Sequence, residues 1–258
     1  MRVKPLFGEL LGTCILTYIG CSTVALAVLF DIFPSIIPVA LIWGAGVTFA
    51  IYATKNYSNA HLNPAVSFGF FINNEINLKE LLSYWIAQLI GGFIAGLGVY
   101  LCFIKKIEKF ELSNTIFPND ISGAYTASIF GEFFPNPGYI DVVPNLSELS
   151  ACGYECVGTF ILMTSIFWFS KTKKLRKFSP SLIGLTVALL IIWIAPFTQC
   201  GINPARDFGP RLVAYFFHWG SGAFPNGQMS FLTVYIFSPI VGAWLSVLLF
   251  KNLINLPR

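Results

Sequence analysis

Two copies of one tripeptide, Asn63-Pro64-Ala65 and Asn203-Pro204-Ala205, occur in the chain. Asn is a favoured helix N-cap and Pro a favoured first helical residue, so each tripeptide reads as a helix start on local chemistry alone. The apolar segments that follow, Asn63 to about Ile72 and Asn203 to about Phe217, are too short to cross a bilayer. Ten helical residues cover about 15 Å, half of a hydrocarbon core about 30 Å thick. Two half-helices entering from opposite faces are therefore expected. Each N-terminus carries about half a positive charge, and two meeting at mid-depth would repel cations. With the Asn side-chain carbonyls spent on capping, their amide NH2 groups would face a lumen as donors. A single-file water held by two donors turns its hydrogens outward from the centre, which interrupts a proton wire. The plainer alternative is a pair of N-caps that stabilise buried helix ends and do nothing more.

Four further polar groups stand in apolar surroundings. Glu9 and Glu155 each lie in a long apolar stretch, where a carboxyl marks function by default. The two read either as structural carboxyls or as the proton relay of a coupled transporter; the lack of an intramembrane Lys partner favours the first. Arg206 falls three residues after Asn203, nearly a turn along the same face, and is costly there unless it faces water. His61, two residues before Asn63, is expected to pack in that loop, with a pH gate as the alternative. Trp43 alone reads as an ordinary core or lipid-facing aromatic.

Positioning these groups requires a membrane scaffold. Of 258 residues 55% are hydrophobic and 11% charged, with a mean hydropathy of +0.71. Such a composition excludes a soluble enzyme and a disordered chain alike. Six full spans are expected, at about 6–30, 34–54, 81–104, 150–170, 179–197 and 231–249. The run Lys171, Lys173, Lys174, Arg176, Lys177 sits between two spans. It reads as a cytoplasmic loop rather than a nucleic-acid patch, which makes both termini cytoplasmic. The cysteines lie mostly in apolar stretches and are expected as packed thiols, with no metal site completed at Cys152 and Cys156. His218, at the end of the second half-helix, is expected at the surface. The motif Glu-x-x-Gly-Thr occurs at Glu9 and again at Glu155, ahead of one tripeptide each. Three spans per half make the second copy inverted, and inverted repeats with broken helices define a central pathway. The halves are about 1–110 and 149–258, joined by a long extracellular loop 105–148.

The strings WGAGVTFAIYATKNYSNAHLNPAV (43–66) and GINPARDFGPR (201–211), with the Glu-x-x-Gly-Thr pair, resemble the major intrinsic protein family, the aquaporins and glycerol facilitators. The resemblance covers nearly the whole chain. It implies an all-α membrane protein of six transmembrane helices and two re-entrant half-helices, a pore through each protomer, and a homotetramer in the cell membrane. Counted from the tripeptides, the family's filter positions fall on Trp43, Ile191, Cys200 and Arg206. Water-selective members typically have His at the place of Ile191. An apolar wall of Trp43 and Ile191 facing Arg206 suits a solute with a carbon face and a hydroxyl face, such as glycerol. Asp207, Arg211 and the string Phe133-Phe134-Pro135-Asn136-Pro137 resemble the glycerol branch. The chain departs from that branch at Cys200 and Ile191, and it has Asn59 and Gln199 where Gly is usual, so the backbone before the second half-helix is expected to differ locally. A passive channel for glycerol, other small uncharged solutes and water, excluding ions and protons, is the expected function. A water-selective, urea or metalloid channel of the same fold and a proton-coupled transporter are the alternatives. No enzyme activity, cofactor, metal or nucleic-acid partner is expected.

Overall fold

The computed structural model describes residues 3–224 and 229–254. Six of its helices are long and apolar enough to cross a membrane. They are α1 (Val3–Phe30), α2 (Ile36–Thr54), α4 (Leu78–Asn114), α6 (Glu148–Lys171), α7 (Ser179–Thr198) and α9 (Ser238–Ile254), the last preceded by a π-type turn at Leu232–Phe237. That widening falls just before Pro239, which has no N–H to continue the regular ladder. Two short helices, α3 (Pro64–Ile72) and α8 (Pro204–Ala214), are the half-helices, and a single turn, α5 (Ala124–Ala127), lies between the halves. An even number of spans puts Val3 and the end of α9 on one face, called the inner face below.

The packing is the same when the halves are exchanged. Helix α1 packs on α2 and α4 as α6 packs on α7 and α9, while α8 rests on α4 as α3 rests on α9. Helices α2 and α7 cross each other at Gly44 and Gly184, nineteen residues before Asn63 and Asn203 respectively. A Cβ on Gly44 would stand 2.5 Å from the Gly184 carbonyl oxygen, so only glycine allows that approach. This exchange symmetry is the inverted repeat.

The ends of the half-helices are secured by side chains. Asn63 and Asn203 cap α3 and α8, and Lys251 from α9 donates to the Ile72 carbonyl at 2.8 Å, placing a cation at the negative end of α3.

Helix α4 is longer than the sequence suggests. The third span ends not near Ile104 but at Asn114, so the first ten residues of the expected loop 105–148 are helical. The charged string Lys105 to Glu111 is rich in strong helix formers, and Ile107 and Glu111 are buried against the outer loops. His218 is also not a free surface residue: its Nε2 lies 2.7 Å from Glu111 Oε2, and Thr126 donates to the same carboxylate at 2.5 Å.

Candidate functional site: a lumen between two half-helices

Each re-entrant loop is held by one buried carboxylate. His61 N and Leu62 N donate to Glu9 at 3.0 and 2.7 Å, and Gln88 Nε2 adds a third bond at 2.8 Å. In the other half Gly201 N, Ile202 N and the Thr198 hydroxyl donate to Glu155 at 2.9, 2.6 and 2.6 Å. In both loops the bonded N–H groups lie two and one residues before the Asn. Both carboxylates are 0% exposed, so these bonds replace water entirely.

The backbones of the two loops match as well. Ala60 and Leu62 have φ of 49° and 53°, and Cys200 and Ile202 have φ of 66° and 42°. These are the positions three and one before each Asn, and positive φ there turns non-glycine backbone into a sparsely populated region. Gln199 takes positive φ too, at 62°, as the left-handed cap of α7. Its side chain offsets the strain by accepting from Phe133 N at 2.7 Å. Asn59 shows no positive φ.

At mid-depth the loops are bonded crosswise. Asn63 Nδ2 donates to the Ile202 carbonyl and Asn203 Nδ2 to the Leu62 carbonyl, both at 2.8 Å. Each Oδ1 caps its own helix, Asn63 accepting from Ala65 N at 2.9 Å and Asn203 from Ala205 N at 3.1 Å and Arg206 N at 3.3 Å. Both amides were expected to keep both hydrogens for the lumen. Instead each spends one on the other loop, leaving a single N–H for anything that passes. Pro64 and Pro204 occupy the first helical positions, and Ala65 and Ala205 are fully packed behind them.

A cavity of about 180 Å³ runs from Ser170 and Ser179 near the inner face, past Asn63 and Asn203, to Trp43, Ile191, Cys200 and Arg206. A second cavity of about 260 Å³ opens outward from Trp43, Ile191 and Arg206 to Asp31, Ser35 and Tyr139. Of the four positions counted from the tripeptides, Trp43, Ile191 and Arg206 thus come together where the two cavities meet, and Cys200 lines the first cavity alone. The Arg206 guanidinium lies 4.2 Å from the centre of the Trp43 ring. The indole fits because residue 20 is glycine; a Cβ there would overlap the ring. His61 faces the inner half of the cavity, stacked on Phe70 at 4.3 Å with Nδ1 3.2 Å from the Ser67 hydroxyl.

Two sets of contacts in the site were invisible in the sequence. Arg206 is not unpaired: its Nη1 meets the carboxylate of Glu132, a buried residue of the outer loop. Arg211 is 0% exposed, bonded through Nε and Nη2 to Asp207 at 3.1 and 2.6 Å, with Nη1 and Nη2 also donating to the carbonyls of Ala223 and Glu132. Four aromatic rings surround it. No short motif announces the contacts with Glu132 and Ala223, since these depend on how the loop folds back, whereas Asp207 and Arg211 are an i,i+4 pair within α8. Among the cysteines, Cys200 is buried in the cavity wall, while Cys102 is exposed on the outside of the bundle rather than packed.

Six spans, two half-helices meeting at mid-depth and a lined passage between them define a membrane channel protein. The model of the major intrinsic protein family matches residues 2–250, and the chain belongs to that family. It is 34% identical over 241 residues to a glycerol uptake facilitator protein of Pseudomonas aeruginosa, covering 92% of this chain and 84% of the relative. It is 30% identical over 255 residues to a propanediol uptake facilitator of Citrobacter freundii, covering 96% and 92%. The crystallographic aquaglyceroporin of Plasmodium falciparum superposes with a TM-score of 0.82 at 25% identity, covering 99% of this chain and 98% of that one.

Proposed function

We propose that the protein is a passive channel conducting glycerol and other small uncharged solutes together with water, while excluding ions and protons. The observation that carries this reading is the one-sided lining at the junction of the cavities: apolar Trp43 and Ile191 against the donor Arg206. A polyol has a carbon edge for the first and hydroxyls for the second. The names of the relatives, glycerol and propanediol facilitators, support the same solute class. In this reading Trp43, Ile191, Cys200 and Arg206 form the filter. Asn63 and Asn203 contribute one donor each at the centre, where the helix ends also repel cations. Glu9, Glu155, Asp207 and His61 hold the loops.

The coupled-transporter reading is disfavoured by the bonding of Glu9 and Glu155. Each already accepts three hydrogen bonds from fixed donors, and protonation would weaken them. The basic loop between α6 and α7 on the inner face supports cytoplasmic termini in a cell membrane, plasma or inner. Large exposed apolar side chains along the bundle, such as Ile86, Leu101 and Trp168, suit both lipid and the neighbouring copies of a homotetramer.

Liposome swelling with glycerol, urea and water side by side tests the function. Flux of each solute is expected strictly down its own gradient, unchanged by a membrane potential or a pH jump. Uphill accumulation of solute driven by protons would overturn the channel reading.

A further inference from the structure

We propose that Glu132 is a fifth member of the outer ring and that, paired with Arg206, it makes that ring electrically neutral rather than positive. This inference rests on the filter assignment above. Glu132 is 3% exposed and lies in the outer loop, far from Arg206 in sequence, yet its carboxylate is ion-paired with the guanidinium. It also lines the outer cavity together with Trp43, Ile191 and Arg206. The place of its side chain is fixed by its own backbone. Glu132 N donates to Asp207 Oδ1 at 2.7 Å, and its carbonyl accepts from Arg211 Nη2 at 2.5 Å. The next residue, Phe133, donates to Gln199 Oε1 at 2.7 Å. The loop is thus anchored on the residue after Arg206, on Arg211 one turn further on, and on the cap of α7.

Two cation–carboxylate pairs, Arg206 with Glu132 and Arg211 with Asp207, therefore stand side by side along α8, from its first turn to its last. Their charges cancel. Rejection of cations then falls on the two half-helix ends, and the ring sorts solutes by shape and by its donors. The carboxylate occupies the Nη1 end of the fork, so that end is not open to a passing hydroxyl.

A lone positive ring and a neutral ring respond differently to mutation. Removing Arg206 from a lone ring subtracts one positive charge. Removing it from the pair leaves an uncompensated carboxylate at a desolvated wall, which draws cations in. Three variants, Arg206→Val, Arg206→Val with Glu132→Gln, and Glu132→Gln alone, separate the two when reconstituted in liposomes. Potassium and chloride leak are read with ion-sensitive dyes, and size-exclusion elution with thermal unfolding in detergent confirms that each channel is folded. We expect Arg206→Val to raise potassium leak about tenfold or more, the scale of one unpaired charge at a partly desolvated wall. The double variant should return to within about twofold of wild type, and Glu132→Gln alone should admit chloride by leaving the guanidinium unpaired. If the double variant leaks potassium as much as Arg206→Val does, Glu132 does not cancel the charge, although Arg206 keeps its place in the ring. If Arg206→Val changes neither leak nor solute preference, the ring assignment itself fails and the inference goes with it. Should Arg206→Val not fold, Glu132→Gln decides alone: chloride leak upholds the neutral pair and its absence overturns it.

Discussion

Trp43 sits in the wall because residue 20 has no side chain, and Arg206 sits beside it because Glu132 receives one end of the guanidinium. Cys200 completes this wall from the other side. Its sulfur borders a cavity of about 180 Å³, so one added group of a few heavy atoms takes a large share of the cross-section. A small thiol reagent applied from outside has to pass the outer cavity and then Trp43 and Arg206 to reach Cys200, and is expected to reduce water flux severalfold. Cys102 faces away from the lumen, and its modification leaves the passage open. Stopped-flow swelling before and after treatment should therefore show Cys200→Ala to be insensitive, with its own permeability retained. A Cys200→Ala channel blocked as readily as the wild type would remove Cys200 from the wall.

The re-entrant loops store strain and use it. Four non-glycine residues hold positive φ in register before the two half-helices, and Gln199 is a fifth. Each costs on the order of 1 kcal/mol, and two buried carboxylates with six donors between them hold the loops there. At Gln199 strain and side-chain bonding oppose each other and can be separated. Changing Gln199 to Ala loses the bond to Phe133 N and keeps the strain, at about 1–3 kcal/mol. A Gly in the same place also loses the bond but recovers about 1 kcal/mol of strain. Thermal unfolding in detergent should rank the wild type above Gln199→Gly and Gln199→Ala lowest; a Gly variant no better than Ala would mean that the left-handed cap carries no strain.

Much of this element-level structure was legible in the chain. Asn-Pro-Ala announces a helix start wherever it occurs, and the shortness of the apolar run after it marks a half-helix. The two Glu-x-x-Gly-Thr motifs in register revealed the repeat, and counting from the tripeptides reached all four wall positions. What stayed hidden in the outer loop has one physical cause. The pairing of Glu132 with Arg206, the seat of Gln199 and the burial of Glu111 beneath His218 all depend on where the outer loop folds, and no local propensity encodes that. The extra length of α4 was hidden too, because a charged string reads as the end of a span when only hydropathy is counted.

At the scale of the whole molecule, the halves exchange without changing which helices touch, and the crossing of α2 and α7 at Gly44 and Gly184 lies on the axis that relates them. The crosswise bonds at mid-depth make each half the partner of the other. Asn63 has its acceptor at Ile202 and Asn203 at Leu62. During synthesis the first loop emerges well before its counterpart exists, so a nascent half-channel has no lined conduit through which the cell could leak. The conduit is therefore expected to close and become selective only when the second half docks. Halves produced as separate polypeptides, divided within the outer loop, should each be inert in vesicles and restore glycerol flux only when they are inserted together; permeation by either half alone would contradict that order of assembly.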